Sequence, residues 1–189
     1  MLCAATNIQQ VYMHQGTDYR YASWQPVSTS KTILGTKAPY YGNIATAAAL
    51  GSITTDTRVQ NIPLKNVNAA TSVAYAIYAG SKLARLMIIN LNQYNYTAAA
   101  SSSRPYTTYN FTVAASCAGV GIVQRLIANG SDATTGITFN GASYDYEIAK
   151  GKPRLVDHAT KDEIVWVGQD GGVAVQVPDS SAALMQLTC

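Results

Sequence analysis

A chain of 189 residues that is 48% apolar and only 12% charged has enough apolar matter for one packed domain, with about half the usual share of charge. Low charge beside abundant Thr, Ser, Asn and Tyr is the composition of extracellular β proteins, and it excludes a disordered chain or a solvated helical bundle. A net charge of +3 without a basic block excludes a nucleic-acid footprint, and no stretch approaches the ~20 apolar residues of a membrane span.

The first residues, Met1-Leu2-Cys3-Ala4-Ala5-Thr6-Asn7, carry neither a basic start nor an apolar run and do not read as a signal peptide. Residues 8–14 read as a short strand. Residues 15–38 have no clean period; this stretch is a loop rich in aromatics, with Tyr19, Tyr21 and Trp24. Residues 39–50 read as a helix: Pro39 suits a first turn, the run from Ala45 to Leu50 favours helix, and Gly51 suits the position just past the end.

After Gly51 the period changes from helical to alternating. Residues 57–64, 72–79, 82–91, 106–115, 120–128, 137–146, 163–168, 172–177 and 182–188 read as strands. Turn signals occur at Ala79-Gly80-Ser81, Asn140-Gly141 and Asp170-Gly171. Val73, Tyr75 and Ile77 share one strand face, and Leu83, Arg85, Met87, Ile89 and Leu91 share one on the partner. Arg85 stands out there, and either lies at the sheet end or marks a register one residue off. Many short strands without helices predict an antiparallel sandwich. Residues 1–51 fit no such sandwich: a strand, a long loop and an Ala-rich helix make one β/α unit, and a parallel strand needs neighbours on both edges. The expected division is therefore a remnant β/α unit over 1–51, cut from a larger domain, and a β-sandwich over 52–189.

Chemistry-bearing residues are sparse. Cys3, Cys117 and Cys189 match no zinc or CxxC spacing. They allow at most one internal disulfide, with no partners specified, and buried or terminal thiols are the expectation. His14 and His158 lie far apart, and Asp132, Asp145, Asp157, Asp162 and Asp170 do not fall in a calcium loop, so no metal site is expected. No Gly-rich phosphate loop and no Gly-x-Ser-x-Gly elbow occurs, so no cofactor is implied. Three sequons begin at Asn95, Asn110 and Asn129; beside a start that is not a signal peptide, they point to a secreted protein whose true N-terminus lies upstream.

The run from Tyr12 through Met13-His14-Gln15-Gly16-Thr17-Asp18-Tyr19-Arg20-Tyr21, followed by Trp24-Gln25-Pro26-Val27, resembles the fungal family 79 glycoside hydrolases, the β-glucuronidase and heparanase-like enzymes. Pro39-Tyr40-Tyr41-Gly42-Asn43 with the Ala-rich helix after it is similar to the family's last barrel helix. Tyr75-Ala76-Ile77-Tyr78 with Leu83-Ala84-Arg85-Leu86 and Ile88-Ile89-Asn90 is similar to its first C-terminal hairpin. Val123-Gln124-Arg125-Leu126 and the run from Thr135 to Tyr144 resemble later strands. Each motif is soft alone; their order covers the chain from about residue 8 to the end.

The resemblance implies a retaining (β/α)8 barrel with an appended β-sandwich, glutamates on the fourth and seventh barrel strands, and a carbohydrate partner. Retaining cleavage needs two carboxyls about 5–5.5 Å apart. This chain begins at what would be the eighth strand. Its two glutamates, Glu147 and Glu163, lie in the β-domain segment, so no catalytic residue is expected and the chain alone is expected to be inactive. The loop after the last barrel strand helps hold the sugar carboxylate in the family, which implies His14, Gly16, Asp18 and Tyr19 as substrate-facing residues in an intact parent. Asp18 stands where the family often has glycine, and its own carboxylate opposes an anionic sugar. Tyr19, Tyr21 and Trp24 could instead stack on sugar rings, as in a stand-alone carbohydrate-binding or adhesion module, which is the competing reading.

Overall fold

The computed structural model describes residues 1–52, 56–98 and 103–189. In chain order these form α1 (Leu2–Ala5), β1 (Trp24–Gln25), β2 (Gly35–Thr36), α2 (Ala38–Leu50), β3 (Thr57–Ile62), β4 (Ser72–Ala79), β5 (Lys82–Asn90), β6 (Tyr106–Thr112), a 3-10 turn (Ala115–Cys117), β7 (Gly119–Ile127), β8 (Thr138–Phe139), β9 (Ala142–Ser143), α3 (Tyr146–Ala149), β10 (Arg154–Leu155), β11 (Glu163–Val167), β12 (Gly172–Pro178) and β13 (Ser181–Gln186).

One large antiparallel sheet runs β10-β9-β8-β7-β13-β5-β4-β3, with β11 paired to the first half of β7. The ribbon β6–β12 covers one face. Between them lies a core of Ala74, Ala76, Leu86, Ile88, Met185, Tyr109, Val173, Val175 and Val177. The other face is covered by α2, whose buried Ala45 and Ala49 meet Val59, Tyr75, Ile77, Met87, Phe139, Ala182 and Leu184. Because both faces of β4, β5 and β13 are buried, these strands are apolar almost without interruption rather than alternating.

The sequence placed most β elements within one to three residues. The span 137–146 is divided by its own turn signal: Asn140 (φ 51°) and Gly141 (φ 73°) make a left-handed pair that folds β8 onto β9. The short elements α1, β1, β2, α3 and β10 carry too few residues to show a period. The faces read for β4 and β5 hold in the middle, with Val73 opposite Ile89, Tyr75 opposite Met87 and Ile77 opposite Arg85, but not at the ends: a register shift between Ile77 and Tyr78 sets Leu83 opposite Tyr78 and against the ribbon-side core, and Leu91 lies beyond β5. Arg85 lies on the helix side because it serves the end of α2: its guanidinium donates to the Ala49 carbonyl at 3.5 Å and packs against Gly51. A cation there meets carbonyls that the last helical turn leaves unpaired.

Two expectations need correction. Residues 8–14 are not a strand: Ile8, Val11, Tyr12 and Met13 are exposed, Tyr12 at 86%. Residues 9–14 make no backbone–backbone hydrogen bond to the described residues, and a β-strand exists only by pairing. The cysteines are not all thiols: Cys117 and Cys189 are joined across 72 residues, leaving Cys3 free. Spacing could not reveal this, because the pairing depends on the β13 end returning beside the turn before β7.

Candidate functional site

The loop singled out in the sequence is held by two glutamines that sequence reasoning did not mark. Gln25 is buried in β1; its amide oxygen accepts from the Asp18 backbone N–H (3.0 Å), and its amide nitrogen donates to the Asp18 carboxylate (3.1 Å) and the Val27 carbonyl (3.0 Å). Gln15 accepts from the Ser23 N–H at 2.9 Å, and Asn43 on α2 donates to the Ser23 hydroxyl at 2.8 Å. The loop is thereby fastened to the start of α2. The signal that could have found these residues is the pair of amides flanking a left-handed Asp, a geometry that polar side chains stabilise by local bonds.

Asp18 has φ 57°, and its carboxylate also accepts from the Thr29 hydroxyl at 2.6 Å. Its charge is thus shared with two side-chain donors on this loop. His14, Gly16 and Tyr19 are exposed. The His14 and Tyr19 rings lie 5.1 Å apart, Tyr21 packs edge-on to Tyr19 at 6.2 Å, and the Lys37 ammonium donates to the Tyr19 carbonyl at 2.9 Å. The structure therefore brings His14, Asp18 and Tyr19 together on one exposed loop.

A tyrosine cluster joins this loop to the sheet. Trp24 packs edge-on to Tyr40 (6.5 Å), and Tyr40, Tyr41 and Tyr144 meet at 5.8–6.5 Å. The buried Tyr41 hydroxyl pairs with Ser143 Oγ at 3.2 Å and accepts from the Tyr144 N–H at 2.9 Å. Burial, with Tyr40 and Tyr41 adding to it, pushes the Tyr144 phenol up.

The acidic residues serve local structure. Glu163 is held by Arg125 through two bonds of 2.6 Å, and Glu147 is exposed on α3. Asp145 caps α3 by accepting from the Glu147 N–H, Asp157 accepts from the Ala159 N–H, Asp162 pairs with Asn140, and Asp170 accepts from the Gly172 N–H. Asp132 accepts from the backbone N–H groups of Tyr96 and Thr97 and from the Thr97 hydroxyl. Among the described residues no group of three or more His, Cys, Asp and Glu side chains converges for a metal.

The sequon asparagines differ in setting. Asn110 is exposed on β6 and Asn129 is exposed beside Gly130, whereas Asn95 is half-buried and accepts from the Ala98 N–H at 3.2 Å. No helix of the described residues is long and apolar enough to cross a membrane.

Residues 74–184 match the model of the glycosyl hydrolase family 79 C-terminal beta domain. Over 99% of its length the chain is 47% identical to a β-glucuronidase of Aspergillus niger, of which it covers 35%. Over 97% of its length it is 40% identical to a β-glucuronidase of Neurospora crassa, of which it covers 39%. It thus spans somewhat over a third of the length of these relatives. A crystal structure of a 4-O-α-L-rhamnosyl-β-D-glucuronidase from Fusarium oxysporum superposes with a TM-score of 0.65 at 22% identity, covering 88% of this chain and 32% of that one, and so shares the fold.

Proposed function

The chain belongs to glycosyl hydrolase family 79 as its C-terminal β domain, and we propose that it is the non-catalytic β portion of a β-glucuronidase-like enzyme that cleaves glucuronides or related glycosides through a barrel these residues do not contain. In this reading residues 1–51 are the last β/α unit of that barrel and residues 52–189 the sandwich. The observation that carries it is the state of the two glutamates. Retaining hydrolysis needs one carboxyl kept protonated and another ionised about 5–5.5 Å away. Here both oxygens of Glu163 are taken by Arg125, and Glu147 stands exposed on α3.

The exposed apolar run Ile8, Val11, Tyr12 and Met13 supports the barrel reading, because clustered apolar side chains at a surface call for a neighbour to cover them. The Cys117–Cys189 bond and the fungal relatives support secretion. The substrate class, carbohydrate, follows from the family.

The test is turnover of an aryl β-glucuronide by the purified chain. The reading expects no rate above the uncatalysed control. Turnover that disappears in Glu147→Gln or Glu163→Gln would place an active site within this chain and sink the reading.

A further inference from the structure

We propose that the cleft between the β1–β2 hairpin and α3 is a carbohydrate subsite that takes an acidic sugar residue, with Trp24 as the stacking surface and Lys150 as the carboxylate partner. The cleft has a volume of about 340 Å³ and is walled by Trp24, Pro26, Leu34, Tyr40, Tyr146 and Lys150. That lies within the ~300–1,000 Å³ typical of small-ligand sites.

Three features set it apart from ordinary loop packing. Trp24 is 48% exposed, yet its ring is fixed by the edge-on contact with Tyr40, which is itself braced by Tyr41 and Tyr144. A rigid, half-exposed indole offers a flat apolar face to the C–H side of a pyranose at little cost in side-chain order. The hairpin carrying it is tied to the sheet by the Thr36 hydroxyl, which donates to the Tyr144 carbonyl at 2.9 Å, so both walls of the cleft belong to one framework. Finally, Lys150 makes no salt bridge among the described residues; its ammonium rests over the Tyr146 ring, 4.5 Å from the centroid. That contact holds the cation at the rim without neutralising it. An aromatic floor beside an unneutralised ammonium suits a sugar that presents an apolar face and a carboxylate, and it disfavours a cationic ligand.

The ligand class rests on the carbohydrate reading of the family; the site itself rests on the cleft. It is distinct from the His14–Tyr19 loop. The chain has two tryptophans, Trp24 and Trp166, so Trp166→Phe leaves Trp24 as the only indole reporter. In that background, titration with cellobiouronic acid is expected to change Trp24 fluorescence saturably, and cellobiose is expected to bind about tenfold more weakly. Lys150→Gln, at an exposed position, is expected to abolish that preference while leaving neutral-sugar binding in place. Trp24→Ala is expected to weaken both by about tenfold or more, read by calorimetry on protein whose circular dichroism matches the parent.

No saturable change with either sugar would overturn the proposal. So would equal affinity for the two sugars, or binding unaltered by Trp24→Ala. Because the readout is equilibrium binding, a negative result removes this subsite and leaves the proposed non-catalytic role standing. Hydrolysis of the probe would instead sink that role and leave the subsite.

Discussion

Arg104 does the work of several residues at the corner where the chain passes from β12 to β13, that is, from the ribbon to the large sheet. It donates to the carbonyls of Asp179 (2.6 Å), Ala128 (2.5 Å) and Ser180 (2.8 Å) and stacks over Tyr94. Arg104→Ala leaves three carbonyls to be met by water at a half-buried place, and is expected to cost about 2–3 kcal/mol in urea unfolding. Arg104→Lys should recover less than half, because one ammonium cannot span the fork. Asp132 clamps the 94–97 segment to the 130–132 turn, and its acidity follows. Desolvation pushes its carboxyl up, but the N–H groups of Thr97, Asp132 itself and Tyr96 outweigh this and hold it below the usual carboxylate range. A carboxyl with a depressed folded pKa stabilises the fold above its unfolded value, near 3.9, and that gain fades as pH falls through the folded value. Asp132→Asn should therefore be less stable than the parent at pH 7 and at pH 5, with the difference shrinking below about pH 4. A difference that stays constant down to pH 2 would contradict the assignment.

At the scale of elements, the period of the sequence reported which segments pair but not which layers they join. Residues 72–79 and 82–90 were legible because an apolar run is interrupted by Gly80, whose φ of 61° suits the turn between β4 and β5. The cover that α2 gives the second face was not legible, since the contacting residues are Ala45 and Ala49 and an Ala-rich helix shows little apolar stripe. Arg85 looked misplaced for the same reason: its partner, the end of α2, lies 36 residues earlier. Hydrogen exchange should separate the two parts of the N-terminal segment. Amides of Ala48 and Ala49 in α2 should exchange as slowly as those of Met87 and Ile88, and those of Val11, Tyr12 and Met13 orders of magnitude faster. Equal protection throughout would mean that residues 8–14 are part of the folded sheet. The Cys117–Cys189 bond closes a loop of 72 residues, a chain-entropy gain of about 4 kcal/mol. Reduction, or Cys117→Ser with Cys189→Ser, should lower unfolding stability by about 2–4 kcal/mol, measured against the oxidised chain. No loss would show that the two ends are held by packing alone.

Across the whole molecule, the fold class was legible because strand period and turn residues agree over most of the chain. The candidate loop was legible only through resemblance, since His14, Gly16, Asp18 and Tyr19 carry no spacing that chemistry demands. The amides that shape it, Gln15 and Gln25, are ordinary residues until the backbone places Ser23 and Asp18 beside them. Trp24 and Lys150 lie 126 positions apart in the sequence, and only the pairing of β1 with β2 against α3 sets them around one cleft. What unites these observations is a β domain with two cores and an exposed apolar run at Ile8, Val11, Tyr12 and Met13. The direct test is a chimera in which this chain replaces the matching 35% of the Aspergillus niger β-glucuronidase. The account predicts that the chimera hydrolyses an aryl β-glucuronide while neither part alone does. A folded but inactive chimera, or activity in this chain by itself, would contradict it.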